Sequence, residues 1–475
     1  MSENIPNVLA GRYASSEVRA IWSEEGRIVL ERRFWIAVMR AQRKLGLDVP
    51  EAAIRAYEGV ADHVDLDSIQ RREARSRHDV KARIEEFCEL AGYEHVHKGM
   101  TSRDLTDNVE QFQVLRSLQY LAPKYVALLL RLSRRVDEWK AMPIVGRTHH
   151  AAAQPTTVGK RFAMFGEEML HAFRRFEHLV ENYPLRGLKG AVGTSLDQLT
   201  LVNGDHRKLE ALQEEVRVYL GFARELNAVG QVYPRGLDFE VISCFFQMGG
   251  GISNLSRTLR LMAGAETATE GFAKGQVGSS AMPHKMNTRS TERINGLQVL
   301  LGGYVHMVGG LVGDQWFEGD VSCSVVRRVA LPDAVFAFDG MLETALHVLD
   351  EMGVYEAVIQ NELTRYMPFL ATTTLLMASV QRGAGREHVH AALKEHAVAV
   401  ALEMREEGRD KNDLAQRLGD DGRIPLAAEE IQEILGESER FVGQAEAQAE
   451  GFVNAVDALA ERYPEAGSVR KGRLL

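Results

Sequence analysis

The run Gly278-Ser279-Ser280-Ala281-Met282-Pro283-His284-Lys285-Met286-Asn287 concentrates hydroxyls, a lysine and an asparagine between long helix-like segments. Gly278 and Pro283 oppose a helix here, so the run reads as a loop. Its polarity suits a small polar substrate, although an ordinary solvated connection has the same composition. Three other polar clusters stand out: Arg12-Tyr13-Ala14-Ser15; Arg77-His78-Asp79-Val80 with the later Thr101-Ser102 and Asp107-Asn108; and Gly146-Arg147-Thr148-His149-His150, closing on Gln154-Pro155-Thr156-Thr157. Ser15 reads equally as a helix cap before Glu17. Arg289, Glu292 and Arg293 continue the first run.

These residue types suit acid–base chemistry. There is no GxGxxG, no GxxxxGK[ST] and no HExxH, so no cofactor and no metal is expected. His95/His97 and His388/His390 have the spacing of metal pairs but lack a third ligand nearby in sequence, and read as surface histidines. Cys88, Cys244 and Cys323 are widely spaced and odd in number, which speaks against a disulfide framework or a cysteine zinc site. A net charge of -9 argues against a nucleic-acid partner, because phosphate backbones need clustered cations. No apolar run is long enough for a membrane span and the first residues lack a signal-peptide pattern, so the cytoplasm is expected.

At 475 residues the chain should hold two or three domains, and helical periodicity dominates it. From Asp107 to Lys140, Val109, Phe112, Leu115 and Leu118 recur at helical spacing and Leu129, Leu132, Val136 and Trp139 continue it; Pro123 should kink or divide this helix. Further helices are expected from Thr156 to Tyr183, Asp238 to Phe272, Ser290 to Phe317 and Pro332 to Met352, with shorter ones in the tail, including Leu426–Leu435 and Glu437–Tyr463. Short β pieces are expected near Lys189–Thr194 and Val229–Tyr233. Gly249-Gly250-Gly251 reads either as a close helix approach or as a break. The reading is all-α, with an N-terminal domain over 1–100, a central long-helix bundle over 101–354 and a helical C-terminal domain over 355–475.

In chain order, Arg12-Tyr13-Ala14-Ser15, Arg77-His78-Asp79-Val80, Thr101-Ser102, Asp107-Asn108, Thr148-His149, Thr156-Thr157-Val158-Gly159-Lys160-Arg161, Arg186-Gly187, Lys189-Gly190, Gly193-Thr194, Gln231, Gly278–Lys285 and Gln315-Trp316-Phe317-Glu318 resemble the motifs of the fumarase/aspartase superfamily, and within it the adenylosuccinate lyase family. The resemblance covers nearly the whole chain. It implies a three-domain fold whose central helices form the core of a homotetramer, with three subunits contributing to each active site. It also implies β-elimination of fumarate from a succinylated purine nucleotide. By similarity, Ser279 is the base and His149 the general acid, and His150 is structural. Lys285 and Asn287 hold the substrate carboxylate, Glu292 orients or charge-balances His149, and His78 binds the phosphate region or supports the acid. Arg12, Tyr13, Arg77, Asp79, Thr101, Ser102, Gln231, Arg293, Ser324 and Arg328 contact substrate. A serine serves as base only with backbone amides and cations around its oxygen, and imidazole suits the acid because it titrates near neutrality.

Three positions depart from the family pattern. Gly319 stands where an arginine is usual, Ala151 where an additional glutamine is usual, and Thr288 where a proline follows the asparagine. Arg327 is a candidate to replace the missing arginine. The first two departures leave open a sister lyase that releases fumarate from another N-substituted aspartate. A non-catalytic structural relative is opposed by the presence of Ser279, His149, Lys285 and Glu292 together.

Overall fold

The computed structural model describes residues 6–271, 282, 284–436, 438–470 and 472. Five long helices form its centre: Ser102–Glu138, Val158–Asn182, Gly236–Gly264, Arg289–Gly309 and Ser324–Glu351. Each packs on the next, and the last returns to the first. The Tyr125 ring stacks 5.6 Å from Phe173 and 6.2 Å from Phe338, and its hydroxyl donates to the Met248 carbonyl at 3.1 Å. Four of the five helices therefore meet at one buried tyrosine. The all-α reading and the long-helix centre hold.

The ends of these helices differ from expectation. The first helix runs unbroken through Pro123, capped by a reciprocal Thr101–Asp104 box. Ser324–Glu351 likewise runs through Pro332 and begins earlier than expected. A proline inside a helix removes one hydrogen bond, and the packing along both helices outweighs that loss. The expected extension to Phe272 stops at Gly264. There Glu266 turns left-handed (φ 57) and Ala268–Thr269 pairs with Gly353–Val354. Arg289–Gly309 ends short of Phe317 at Gly309-Gly310. Near the N-terminus, Val8–Arg12 and Ser16–Trp22 are helical.

The β pieces lie elsewhere than expected, at Pro184–Leu185 paired with Arg224–Glu225 and in the hairpin Pro143–Thr148/Ala151–Thr157. A second core gathers residues between Leu375 and Ile431, whereas the last long helix, Ala445–Ala460, packs back on the central bundle. Among the described residues, no helix is long and apolar enough to cross a membrane.

The glycine triplet lies inside the continuous Gly236–Gly264 helix, which decides for close approach. A Cβ on Gly251 would sit 2.6 Å from Met169 Cγ and 3.1 Å from the Phe165 carbonyl, while one on Gly250 would meet the end of Glu168 at 3.3 Å. Gly251→Ala should therefore destabilise by about 1–3 kcal/mol through overpacking. Gly250→Ala should be neutral or stabilise by up to ~1 kcal/mol through helix propensity. Denaturant unfolding checks the contrast, and equal effects would refute the close-approach account.

Candidate functional site

His149 sits at the tip of the Pro143–Thr148/Ala151–Thr157 hairpin, where Thr148 faces Ala151. His149 and His150 are both left-handed (φ 53 and 62), as a two-residue primed turn requires. That conformation costs about 1–2 kcal/mol per L-residue. The turn is held from the side. Arg147 Nη1 donates to the His150 carbonyl at 3.0 Å and Nη2 pairs with Glu362 of the Glu356–Leu370 helix, while Arg161 donates to the Val145 carbonyl at 2.7 Å. Burial lowers the pKa of Arg161. The hairpin and the Gly236–Gly264 helix enclose a concavity of about 650 Å³ that His149, Gln154, Arg161, Thr258 and Glu362 line.

Lys285 and Asn287 line a different concavity, of about 480 Å³, with Glu270, Thr288 and Tyr355. Glu270 organises this corner. Its carboxylate accepts from the Ser290 and Thr291 amides, both at 2.9 Å, and from the Thr291 hydroxyl, so it caps the Arg289–Gly309 helix from outside. Glu292 and Arg293 lie in the first turns of that helix. The Arg293 guanidinium lies 5.4 Å from the Tyr13 ring centroid, and burial and then the charges of Arg12 and Arg289 lower its pKa against the opposing pull of Tyr13. Arg12, Tyr13, Arg293, Lys285 and Asn287 thus belong to one end of the bundle. Glu292 does not face His149 in this chain; it accepts from the Thr288 hydroxyl at 3.4 Å and approaches Arg260 at 4.0 Å. Ser279 lies outside the described residues.

The remaining candidates occupy two further places. His78 caps the Asp79–Ala91 helix, its Nδ1 accepting from the Lys81 amide at 3.2 Å, and Arg77 before it is left-handed (φ 53). Burial opposes ionisation of Asp79, but Arg83 at 3.0 Å and the Val80 amide hold its pKa below the usual carboxylate range. Thr101 and Ser102 open the long helix through Asp104, which also accepts from Arg186 at 2.8 Å. His97, read from sequence as a surface residue, accepts from Trp35 Nε1 at 3.1 Å and is half-buried, and burial lowers its pKa against the opposing charge of Asp104. Among the described residues, no group of His, Cys, Asp or Glu is arranged to hold a metal.

The Gln231 amide donates to the Glu318 carbonyl at 2.7 Å, and Ser324 and Arg328 begin the helix that follows. Gly319 has φ 146, and a Cβ there would lie 3.2 Å from Gln231 Cβ, so this backbone excludes an arginine without rearrangement. Arg327 does not replace it. Its guanidinium is fully buried and binds Asp238 and Glu110, both at 2.7 Å, and the Tyr233 hydroxyl. Sequence reading missed Glu270, Glu362 and Arg161. The signal for Arg161 was its place in the Thr156–Arg161 motif; the two glutamates carried none.

A family profile described as "Lyase" matches residues 11–301, and one described as "Adenylosuccinate lyase C-terminus" matches residues 368–452. The adenylosuccinate lyase of Saccharomyces cerevisiae is 34% identical over 458 residues, covering 95% of this chain and 94% of its own length. That of Schistosoma mansoni is 32% identical over 98% of this chain and 97% of its own. Among solved structures, the 3-carboxy-cis,cis-muconate lactonizing enzyme of Pseudomonas putida superposes with a TM-score of 0.81 at 22% identity, covering 96% of this chain and 100% of that one. The fumarate lyase of Mesorhizobium sp. BNC1 gives 0.76 at 19% identity over 93% and 98%. These two likenesses bear on the fold.

The hairpin geometry yields a stability prediction. His150→Gly should raise the unfolding midpoint, releasing up to about 1–2 kcal/mol of left-handed strain. Glu362→Ala should lower stability by up to about 1 kcal/mol and speed amide exchange over residues 147–152. Unchanged exchange in Glu362→Ala would show that the clasp does not hold the turn.

Proposed function

The chain belongs to the adenylosuccinate lyase family of the fumarase/aspartase superfamily, and from that premise we propose that it releases fumarate from adenylosuccinate, leaving AMP, and from the succinylated imidazole carboxamide ribotide of purine synthesis. Likeness over nearly the full length to relatives of that name carries this reading. In the elimination, a base removes a proton from the carbon beside a carboxylate and the C–N bond breaks. Its electron pair goes to the departing nitrogen, which an acid protonates. The negative charge passing through the carboxylate needs fixed donors.

We assign Ser279 as base, His149 as acid, Lys285 and Asn287 as carboxylate holders and Glu292 as the partner of the acid. His78, Arg77, Asp79, Thr101, Ser102, Gln231, Ser324, Arg328, Arg12, Tyr13 and Arg293 bind the nucleotide and dicarboxylate. His149 suits its role because a doubly left-handed turn fixes its direction. His149 and Lys285 line separate concavities within one chain. Their union, and that of Glu292 with His149, is assigned to association of copies. Apolar groups left in solvent on the bundle, among them Val299, Leu300, Val325 and Leu261, support a homotetramer with shared sites. A cytoplasmic location suits a purine-nucleotide substrate.

The second reading, a sister lyase acting on another N-substituted aspartate, is favoured by Gly319, whose backbone admits no arginine without rearrangement. Purified protein given adenylosuccinate should produce AMP and fumarate in equal amounts, followed by ultraviolet absorbance and a direct fumarate assay; no product from folded protein would favour the sister lyase. Ser279→Ala and His149→Ala should each abolish turnover without dispersing the oligomer, and mixed subunits of the two should regain part of it. Failure of that complementation would refute shared sites.

A further inference from the structure

The helix Ser324–Glu351 carries a fully buried carboxylate, Asp339, in its middle. Lys124 of the neighbouring long helix, itself buried, pairs with Asp339 and with Glu343, and Glu343 also accepts from the Gly472 amide at 2.6 Å. Packing alone does not require such a triad, because buried ion pairs are often replaceable by apolar groups without loss of stability. Its other Asp339 oxygen accepts from the Ser15 amide at 2.6 Å. The Ser15 hydroxyl shares a hydrogen bond with the Tyr120 hydroxyl at 3.2 Å, and the Lys124 ammonium lies 5.2 Å from the Tyr120 ring centroid.

The next residue supplies a second, independent feature. A Cβ on Gly340 would lie 2.6 Å from Tyr13 Cβ and 3.2 Å from the Tyr13 carbonyl, so only a glycine lets the segment settle this close. Asn7 is tied to the same helix, donating to Asp333 at 2.6 Å. One helix therefore grips the stretch from Asn7 to Ser15 at three points, and Tyr13 is delivered beneath the Arg293 guanidinium.

We propose that Asp339 and Gly340, with Lys124 fixing the carboxylate, form a dock that positions Arg12 and Tyr13 for substrate binding. This rests on the reading of those two residues as substrate contacts. Asp339 and Gly340 touch no substrate; they act through the segment they hold. Loss of the dock loosens binding and leaves the proton transfers at Ser279 and His149 unchanged.

The test uses full-length Asp339→Asn and Gly340→Ala. Each should raise KM for adenylosuccinate about tenfold with kcat within about twofold, the pattern of lost uniform binding. Amide exchange over residues 8–22 should accelerate while the bundle helices keep their protection. In an Arg12→Ala background the Asp339→Asn effect on KM should shrink to the share carried by Tyr13, because both changes act through one segment. Additive effects, a loss confined to kcat, or unchanged exchange over residues 8–22 would overturn the proposal. If the wild-type protein released no fumarate, the proposed function would fall instead. The exchange measurement would then decide the dock by itself.

Discussion

The polar end of the bundle hangs on the buried carboxylate of Asp104. One oxygen accepts from Arg186 Nη1 at 2.8 Å and from the Lys189 and Gly190 amides at 3.0 and 2.9 Å; the other takes the Thr101 amide at 2.9 Å. A fully buried carboxylate survives only when its lone pairs are filled, and here a cation and three amides fill them. The same helix sends Asn108 to Gly187 and Gln111 to Pro184 and Arg186. The loop after Val158–Asn182 is thereby fixed to the start of Ser102–Glu138, and Thr101-Ser102 cannot move without unpairing it.

Farther along, contact between backbones replaces charge. A Cβ on Gly159 would lie 2.4 Å from the Val136 carbonyl and 2.8 Å from the Lys140 amide nitrogen, so the hairpin is pinned where it enters its helix. Asp238, Glu110, Tyr233 and Arg327 form another buried network between helices. Each network sits near a helix end and each sets the direction of a loop. Rigidity of the long helices thus passes into the short irregular segments that carry the candidate chemistry.

How much of this was legible in the sequence follows from which forces write a periodic signal. The long helices were readable because burial of one stripe repeats every three or four residues, as in Val109, Phe112 and Leu115. Their ends were not, because Pro332 lies inside a helix and Gly264 ends one for reasons of tertiary contact. The hairpin that carries His149 escaped notice because Ala151-Ala152-Ala153 offers neither alternation nor a β-branched run, and His-His is a rare occupant of a primed turn. Of the candidate residues, those in recognisable motifs were found, except Arg161, whose motif was seen without a role for it. Glu270 and Glu362 were not, since each acts on a segment distant in sequence. Nor could sequence tell that Arg327 is enclosed by Asp238 and Glu110 while its neighbour Arg328 is exposed.

The separation of His149 from Lys285 is itself a consequence of this rigidity. The Arg147–Glu362 clasp fixes the hairpin, and Glu270 fixes the helix whose first turns carry Glu292 and Arg293. On the proposed function, which assigns both to one site, the missing members come from another copy of the chain. The bundle leaves Val299 73% exposed and Val325 72% exposed on its surface, and burying such groups against another copy would supply the free energy for that assembly. On the proposed reading, the same apolar face that drives association brings the acid of one subunit to the cations of another, so catalysis and oligomer stability share one cause.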